Sequence, residues 1–209
     1  RAMGQTLLLA LCGLLFGTLL GMIFGILSVV KNKVCNVIAM IFVDVVRGVP
    51  MIVLAFFVFF GVPYCLNNMM GLSATLTALQ AGTICLALNC GAYMAEIIRA
   101  GIQSVDKGQM EAARSLGLPY WRAMQRVILP QAIRTMVPSI INQFIITLKD
   151  TSILSVIGFP ELTNMGKTIA GNTFKSLQTW AIVGIMYMIV IVALSKLAKR
   201  IERRIDRGR

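Results

Sequence analysis

Two long stretches of the sequence carry no charged residue, and they constrain the fold more than any other feature. The first runs from Ala2 to Val30 and the second from Gly48 to Ala95. A bilayer core about 30 Å thick is crossed by about 20 apolar helical residues. The first stretch fits one helix, whereas the second is too long for one and has turn-forming residues in its middle. Because backbone polar groups must be paired in lipid, we predict an all-α integral membrane protein.

The apolar runs predict five spans within a single domain of residues 1–209. These spans cover roughly residues 5–30, 35–60, 74–101, 132–148 and 176–195. Gly61 to Ser73 is predicted to be an external turn, because it contains Gly, Pro and paired Asn. Lys149 to Asn172 is too polar to cross lipid, so we predict a re-entrant or outer-face segment. The first span is too long for a signal-peptide core, and Lys31 and Lys33 follow it.

The basic residues indicate topology rather than a nucleic-acid partner. The formal net charge is +12. The lysines and arginines flank the predicted spans, and an excess of these residues is typical of the cytoplasmic loops of membrane proteins. The N-terminus is therefore predicted outside and the C-terminus in the cytoplasm. The tail, residues 196–209, has apolar residues at four-residue steps with bases between them. That pattern predicts an amphipathic helix on the anionic inner surface of the membrane, in contact with lipid.

Enzyme chemistry finds little support in the composition. Histidine is absent and none of the five cysteines forms a CxxC pair, so we expect neither a metal site nor an activated nucleophile. Gly166-Lys167-Thr168 resembles the end of a phosphate-binding loop, but Glu161 occupies the position of that loop's first glycine. We therefore predict no ATP binding by this chain.

Glycines recur every four residues along the first span, at Gly13, Gly17, Gly21 and Gly25. At 100° per residue they stay on one side of the helix. Small residues at this spacing let another helix approach closely. The stripe predicts either a contact between subunits or close packing within one subunit, and we favour the second.

Charged residues inside predicted spans form two pairs at three-residue spacing. Asp44 and Arg47 lie in the second span, and Glu96 and Arg99 lie near the inner end of the third. Residues three apart share a helix face, so each pair is expected to interact. Asp44 and Arg47 face either an aqueous cavity or the membrane interface. For Glu96 and Arg99 we favour an ion pair at the inner rim.

The polar block of residues 103–131 lies between the third and fourth spans. Good helix formers flank a break at Gly117, Leu118 and Pro119. Pro130 lacks an amide proton and is expected to end the second run. The block therefore predicts two short amphipathic helices joined by a tight turn, a shape suited to binding by a soluble partner.

The same block resembles the EAA loop of ABC-importer permeases. Their pattern is Glu-Ala-Ala, three residues, Gly, nine residues, Ile, one residue and Leu-Pro. The sequence has Glu111-Ala112-Ala113, Gly117 and Leu129-Pro130 at this spacing, with Val127 in place of the isoleucine. Further segments resemble the polar amino-acid branch of the family, and the likeness runs from Thr6 to Arg200. These segments are Arg47-Gly48-Val49-Pro50, Ala92-Tyr93-Met94-Ala95-Glu96, the run Gly101 to Gly108, and Lys149-Asp150-Thr151-Ser152.

The resemblance implies the type I ABC-importer permease fold, with the two-helix block as a cytoplasmic coupling loop in a prokaryotic plasma membrane. Two permease subunits, by default a homodimer, would line one path, and two copies of a separate ATPase would bind ATP and Mg. No cofactor is expected in this chain. An extracytoplasmic binding protein would deliver a polar amino acid. The expected ATPase contacts are Glu111, Ala112, Ala113, Arg114, Leu116, Gly117, Trp121, Arg122, Leu129 and Pro130.

A free amino acid carries an ammonium and a carboxylate, so its site needs both an acceptor and a donor. Polar residues around the outer half of the fourth span, with one arginine, form the predicted substrate path: Arg47, Asn142, Thr147, Lys149, Asp150 and Glu161. Each of them could equally have a structural role. The alternative function is an ATP-independent channel or carrier for a small polar solute.

Overall fold

A computed structural model describes the backbone of residues 1–206 and the side chains of residues 1–200. Within that range the regular elements are helical. In chain order they are α1 (Ala2–Leu27), α2 (Lys33–Gly48), α3 (Met51–Met70), α4 (Ala78–Gln103), α5 (Lys107–Ser115), α6 (Tyr120–Ile157), α7 (Leu162–Thr173) and α8 (Ser176–Asp206). Helices α1, α3, α4, α6 and α8 are long and apolar enough to cross a bilayer. The predicted number of spans, five, is confirmed.

Helix α1 packs against α4 of the same chain through its glycine stripe. A Cβ built on Gly13 would lie 2.6 Å from the Leu86 Cβ, and one on Gly25 would lie 2.8 Å from the Ile98 Cβ. Later residues of α1 meet later residues of α4, so the two helices run parallel. In lipid the hydrophobic effect does not drive helices together, so van der Waals contact between closely packed backbones stabilises the pair instead. The stripe therefore packs within one subunit, as favoured from the sequence, and no longer supports a dimer contact.

The second predicted span, 35–60, is wrong in its bounds. Val49 is extended, with φ −99° and ψ 129°, because the ring of Pro50 disfavours helical geometry at the preceding residue. The chain therefore divides into α2 and α3. Helix α3 continues through the predicted external turn and ends only at Gly71, which has φ +65°. A π-helical segment, Phe57–Gly61, precedes Pro63 and puts that proline in the first turn of the helix that follows.

The fourth predicted span, 132–148, forms only the middle of α6, and the expected helix end at Pro130 is wrong. A π-helical segment, Met124–Ile128, precedes the proline. Leu129 donates its backbone N–H to the Met124 carbonyl, five residues back. This wider turn restarts the α-helix at Leu129, where Pro130 occupies a first-turn position that needs no backbone donor.

After Asp150 the last part of α6, Thr151–Ile157, has 3-10 geometry, and α7 follows it. The start of α7 is tied to α1, because Leu162 donates its backbone N–H to the Thr6 hydroxyl at 3.1 Å. Helix α8 extends past the predicted span of 176–195 without a break to Asp206. The predicted tail helix is thus continuous with the span. The side chains expected to contact lipid beyond Arg200 lie outside the described residues.

Candidate functional site

The turn between α5 and α6 is built by local backbone chemistry. Asp106 begins α5, since its carboxylate accepts the Gly108 N–H at 2.7 Å. At the other end Leu118 donates its N–H to the Ala113 carbonyl at 3.2 Å, and Gly117 donates to Arg114 at 3.0 Å. This pair of bonds is a Schellman motif, which needs a left-handed residue, and Gly117 has φ +81°.

Gly117 is required for its backbone conformation and not for space. A Cβ built on it meets nothing within 4 Å, so no steric clash within this chain excludes a larger residue. Left-handed geometry costs other L-residues about 1 kcal/mol. The glycine therefore allows α5 to end and the chain to reverse within the four residues from Leu116 to Pro119.

Two large apolar side chains project from this turn. Leu116 is 84% exposed and Trp121 is 64% exposed, while Ala113 and Ala123 are buried. The alanines thus face the rest of the protein and hold the helix–turn–helix in place. Exposed apolar groups of this size are typical of a protein–protein contact.

Charged residues surround the apolar pair. Glu111, Arg114 and Arg122 are exposed, and Ala112 and Pro130 are also exposed. Leu129 is partly buried. The Lys31 ammonium lies 5.2 Å from the centre of the Tyr120 ring, which fixes the start of α6 against the loop after α1. We call the exposed surface formed by Glu111, Arg114, Leu116, Trp121 and Arg122 the coupling surface.

The six predicted substrate contacts do not form one cluster. Among the described residues, no hydrogen bond or ion pair joins any two of them. Asn142 and Lys149 are exposed on α6. Thr147 is buried and accepts a hydrogen bond from Gln143 at 3.4 Å.

Glu161 is not an open path residue, contrary to the expectation from sequence. It is 0% exposed and caps the N-terminus of α7. Its two oxygens accept the backbone N–H of Thr163 at 2.7 Å and of Asn164 at 2.6 Å. The Tyr187 hydroxyl also donates to it at 2.8 Å. These three hydrogen bonds give the Glu161 carboxylate a structural role in holding the start of α7.

Arg47 contacts α4 instead of Asp44, so the predicted pair within α2 is wrong. Its guanidinium lies 4.0 Å from the Glu96 carboxylate and 4.9 Å from the centre of the Tyr93 ring. Glu96 also binds Arg99 at 2.5 Å, which confirms the predicted pair on α4. Arg47 therefore joins the end of α2 to α4.

A cavity of about 420 Å³ lies beside these charges, between one face of α2, the C-terminal part of α4 and Ser28, which follows α1. Asp44, Glu96, Arg99 and Gln103 contribute polar groups to its wall. It is large enough for a small polar molecule. Within the described residues, no three His, Cys, Asp or Glu side chains are grouped so as to hold a metal ion.

Asn89 is a residue that the sequence analysis missed. It is 8% exposed and its side-chain amide donates to Asp150 Oδ2 at 3.2 Å. The bond joins the middle of α4 to the C-terminal part of α6. An amide within an apolar run was the available signal, because polar groups at membrane depth require a partner.

A bundle of membrane-length helices with an exposed helix–turn–helix between two of them defines the class: a polytopic membrane permease. The chain belongs to the family of binding-protein-dependent transport system inner membrane components, whose sequence pattern matches residues 17–207. It is therefore a multi-pass inner-membrane protein and a transport component rather than an enzyme.

Relatives are similar over almost the full chain. The glutamine transport system permease protein GlnP of Escherichia coli (strain K12) is 36% identical over 200 residues, which are 96% of this chain and 89% of the relative. The probable amino-acid permease protein YxeN of Bacillus subtilis (strain 168) is 36% identical over 203 residues, 97% of this chain and 89% of the relative.

Solved structures agree with the fold. An amino acid ABC transporter, crystallised with histidines, superposes with a TM-score of 0.88 at 37% identity, covering 97% of this chain and 92% of that one. The inward-facing MetNI methionine ABC transporter has a TM-score of 0.79 at 20% identity, covering 98% and 94%, which supports the fold alone. The predicted type I importer permease fold and ABC-transport permease function are confirmed. Nothing here favours an ATP-independent channel or carrier.

Proposed function

We propose that this chain is the membrane subunit through which an ATP-driven importer moves a polar amino acid, with L-glutamine as the first candidate. The observation that carries the proposal is the coupling surface, where Leu116 and Trp121 are exposed in a motif with EAA spacing. Full-length similarity to permeases named for glutamine or amino acids supports the substrate class.

The coupling surface binds a cleft on a separate ATPase subunit, one for each permease subunit. Leu116 and Trp121 enter the cleft as apolar anchors, because burying them removes large apolar areas from water. Arg114, Arg122 and Glu111 form charged contacts at the rim, which favour correct orientation. The ATPase binds ATP and Mg, and this chain supplies no cofactor ligand.

The continuity of α6 provides a route for movement. The helix runs from Tyr120 to Ile157, 38 residues, or about 55 Å at 1.5 Å per residue. When the ATPases close on ATP, the coupling turn is displaced and α6 carries that displacement toward Asp150. The π-helical segment, Met124–Ile128, is the point in α6 where the helix geometry changes and where bending is easiest.

The path itself lies beside the outer half of α6. Asp150 is an acceptor for the substrate ammonium, and Lys149 is a donor for its carboxylate. Arg47, which contacts Glu96 and Tyr93 on α4, meets the substrate at a separate point of the path. Asn142 and Thr147 supply neutral hydrogen-bonding groups on the same helix. The N-terminus lies outside and the C-terminus in the cytoplasm, an orientation supported by the basic residues near Lys31 and in the tail.

A second permease subunit, in the simplest case a second copy, completes the path. Helices α3 and α8 present broad apolar faces. In the most apolar segment of each helix, only 11% and 0% of the residues, respectively, are buried within the chain. These faces are available to lipid and to the second subunit. A substrate-binding protein delivers the amino acid at the outer face, as the family description supports.

The test is co-purification of the ATPase with Leu116→Asp. The substitution puts a charge into the apolar contact, and we expect retained ATPase to fall by roughly tenfold or more. Leu72→Asp is the matched control, because Leu72 is also an exposed leucine, 50% accessible, after α3. Equal ATPase recovery from both variants would contradict the docking proposal. ATP-dependent L-glutamine uptake by proteoliposomes then tests the substrate, and uptake without ATP would favour a channel or carrier.

A further inference from the structure

The Asp150 carboxylate is held on one oxygen and open on the other. Asn89 donates to Oδ2 at 3.2 Å, and no side chain among residues 1–200 donates to Oδ1. Buried side-chain oxygens in that part of the chain all have hydrogen-bond partners. Oδ1 is therefore not a buried, unsatisfied atom: it reaches accessible space.

Asp150 also has no cationic partner within 4.0 Å among the described side chains. Among the residues whose side chains are described, Glu96 is the other acidic residue within a membrane-length helix, and it differs because it pairs with arginines. A carboxylate at membrane depth is costly unless it is paired or serves a transported ion or solute. Its open oxygen thus fits a cation that arrives from outside the chain.

We propose that Asn89 is a positioning residue for transport: its amide holds Oδ2 of Asp150 so that Oδ1 faces the ammonium group of the transported amino acid. The inference rests on the proposed function. Asn89 suits this role because it is almost fully buried in α4, the most buried of the membrane-length helices. The bond reaches across 61 residues of sequence and fixes the carboxylate against that helix.

A purely structural role predicts something different. Interhelical hydrogen bonds also stabilise membrane bundles. A bond with only that role would stabilise the protein equally well if the donor and the acceptor were exchanged between the two helices. Positioning requires the carboxylate on α6. The two roles are therefore separated by exchanging the side chains, Asn89→Asp with Asp150→Asn, which keeps the size of each group and reverses the direction of the bond.

The experiment compares Asn89→Leu, the exchanged double variant and wild type in proteoliposomes containing the complete transporter. Initial rates of ATP-dependent L-glutamine uptake and thermal unfolding temperatures are measured for each. Thr6→Val is the matched control, because it removes another buried long-range hydrogen bond, the one from Leu162 N–H at 3.1 Å, outside the proposed path.

We expect Asn89→Leu to lower uptake by about tenfold, the loss produced by about 1.4 kcal/mol from one bond to a charged group. Its unfolding temperature should fall no further than that of Thr6→Val, which should keep its uptake. The exchanged variant should recover the unfolding temperature of wild type but not its uptake.

Two results would overturn the inference while leaving the proposed function in place. One is uptake by Asn89→Leu equal to that of Thr6→Val. The other is recovery of wild-type uptake in the exchanged variant, which would assign a structural bond alone. Absence of ATP-dependent L-glutamine uptake by the wild-type complex would instead overturn the proposed substrate and, with it, this inference.

Discussion

Gly17 of α1 lies directly against Cys90 of α4. A Cβ built on Gly17 would stand 2.7 Å from the Cys90 Cβ and 3.0 Å from its Sγ, closer than unbonded carbon atoms pack. We predict that Gly17→Ala destabilises the isolated permease by roughly 1–3 kcal/mol, because the two helices must separate or repack. Thermal unfolding of the purified protein in detergent measures the effect.

Gly4→Ala is the control for that prediction. Gly4 lies on the same helix, and a Cβ there meets nothing within 4 Å. Alanine has the higher helix propensity, so this change should be neutral or stabilising by up to about 1 kcal/mol. If both variants unfold at the same temperature, close packing of α1 on α4 does not limit stability.

The left-handed conformation of Gly117 gives a second prediction. Gly117→Val should destabilise the coupling turn by about 1–2 kcal/mol, because a β-branched residue disfavours φ +81°. Gly117→Asn should cost less, since asparagine tolerates that geometry. ATP hydrolysis per unit of L-glutamine imported is the measurement. Hydrolysis should be poorly coupled in the valine variant and nearly normal in the asparagine variant, and the reverse order would exclude a backbone effect.

Much of the architecture follows from the sequence because membrane helices are specified by simple rules. Uncharged runs determine the number of spans, and the steps of the glycine stripe correctly indicate close helix packing. The paired residues Glu96 and Arg99 meet as their spacing requires. These features depend on local composition and on helix periodicity, which the sequence displays directly.

The errors arise where prolines and distant partners decide the outcome. Pro50 divides a helix and Pro130 does not, because π-helical geometry before Pro130 changes its hydrogen-bonding position. Local sequence does not reveal that difference. Arg47 selects Glu96 over the nearer Asp44, and Asn89 meets Asp150. Such choices depend on how helices pack, which spacing within one helix does not determine.

Glu161 provides a third prediction, on stability rather than transport. Its buried carboxylate accepts two backbone N–H groups and the Tyr187 hydroxyl. Glu161→Ala leaves these donors unpaired and should destabilise the protein by about 3 kcal/mol. Thermal unfolding tests this, with Glu111→Ala as the control, because Glu111 is exposed.

The same residue also separates the structural role from the substrate role that the sequence suggested. Glu161→Gln keeps the size of the side chain and part of its accepting capacity. Its folded fraction should import L-glutamine at a rate close to wild type. A normal unfolding temperature with lost uptake would instead place Glu161 in the substrate path.

The fourth prediction concerns the unequal sharing of Glu96 between two arginines. Arg99 donates to both carboxylate oxygens, at 3.1 Å and 2.5 Å, whereas Arg47 lies at 4.0 Å and stacks on Tyr93. Double-mutant cycles of thermal unfolding should therefore give a larger coupling energy for Glu96 with Arg99, about 1 kcal/mol, than for Glu96 with Arg47. Arg47→Lys keeps the positive charge but loses the planar group that contacts Tyr93. We therefore expect this variant to lose stability through reduced packing and not through a lost ion pair. A larger coupling with Arg47 would show that the contact between α2 and α4 is primarily an ion pair.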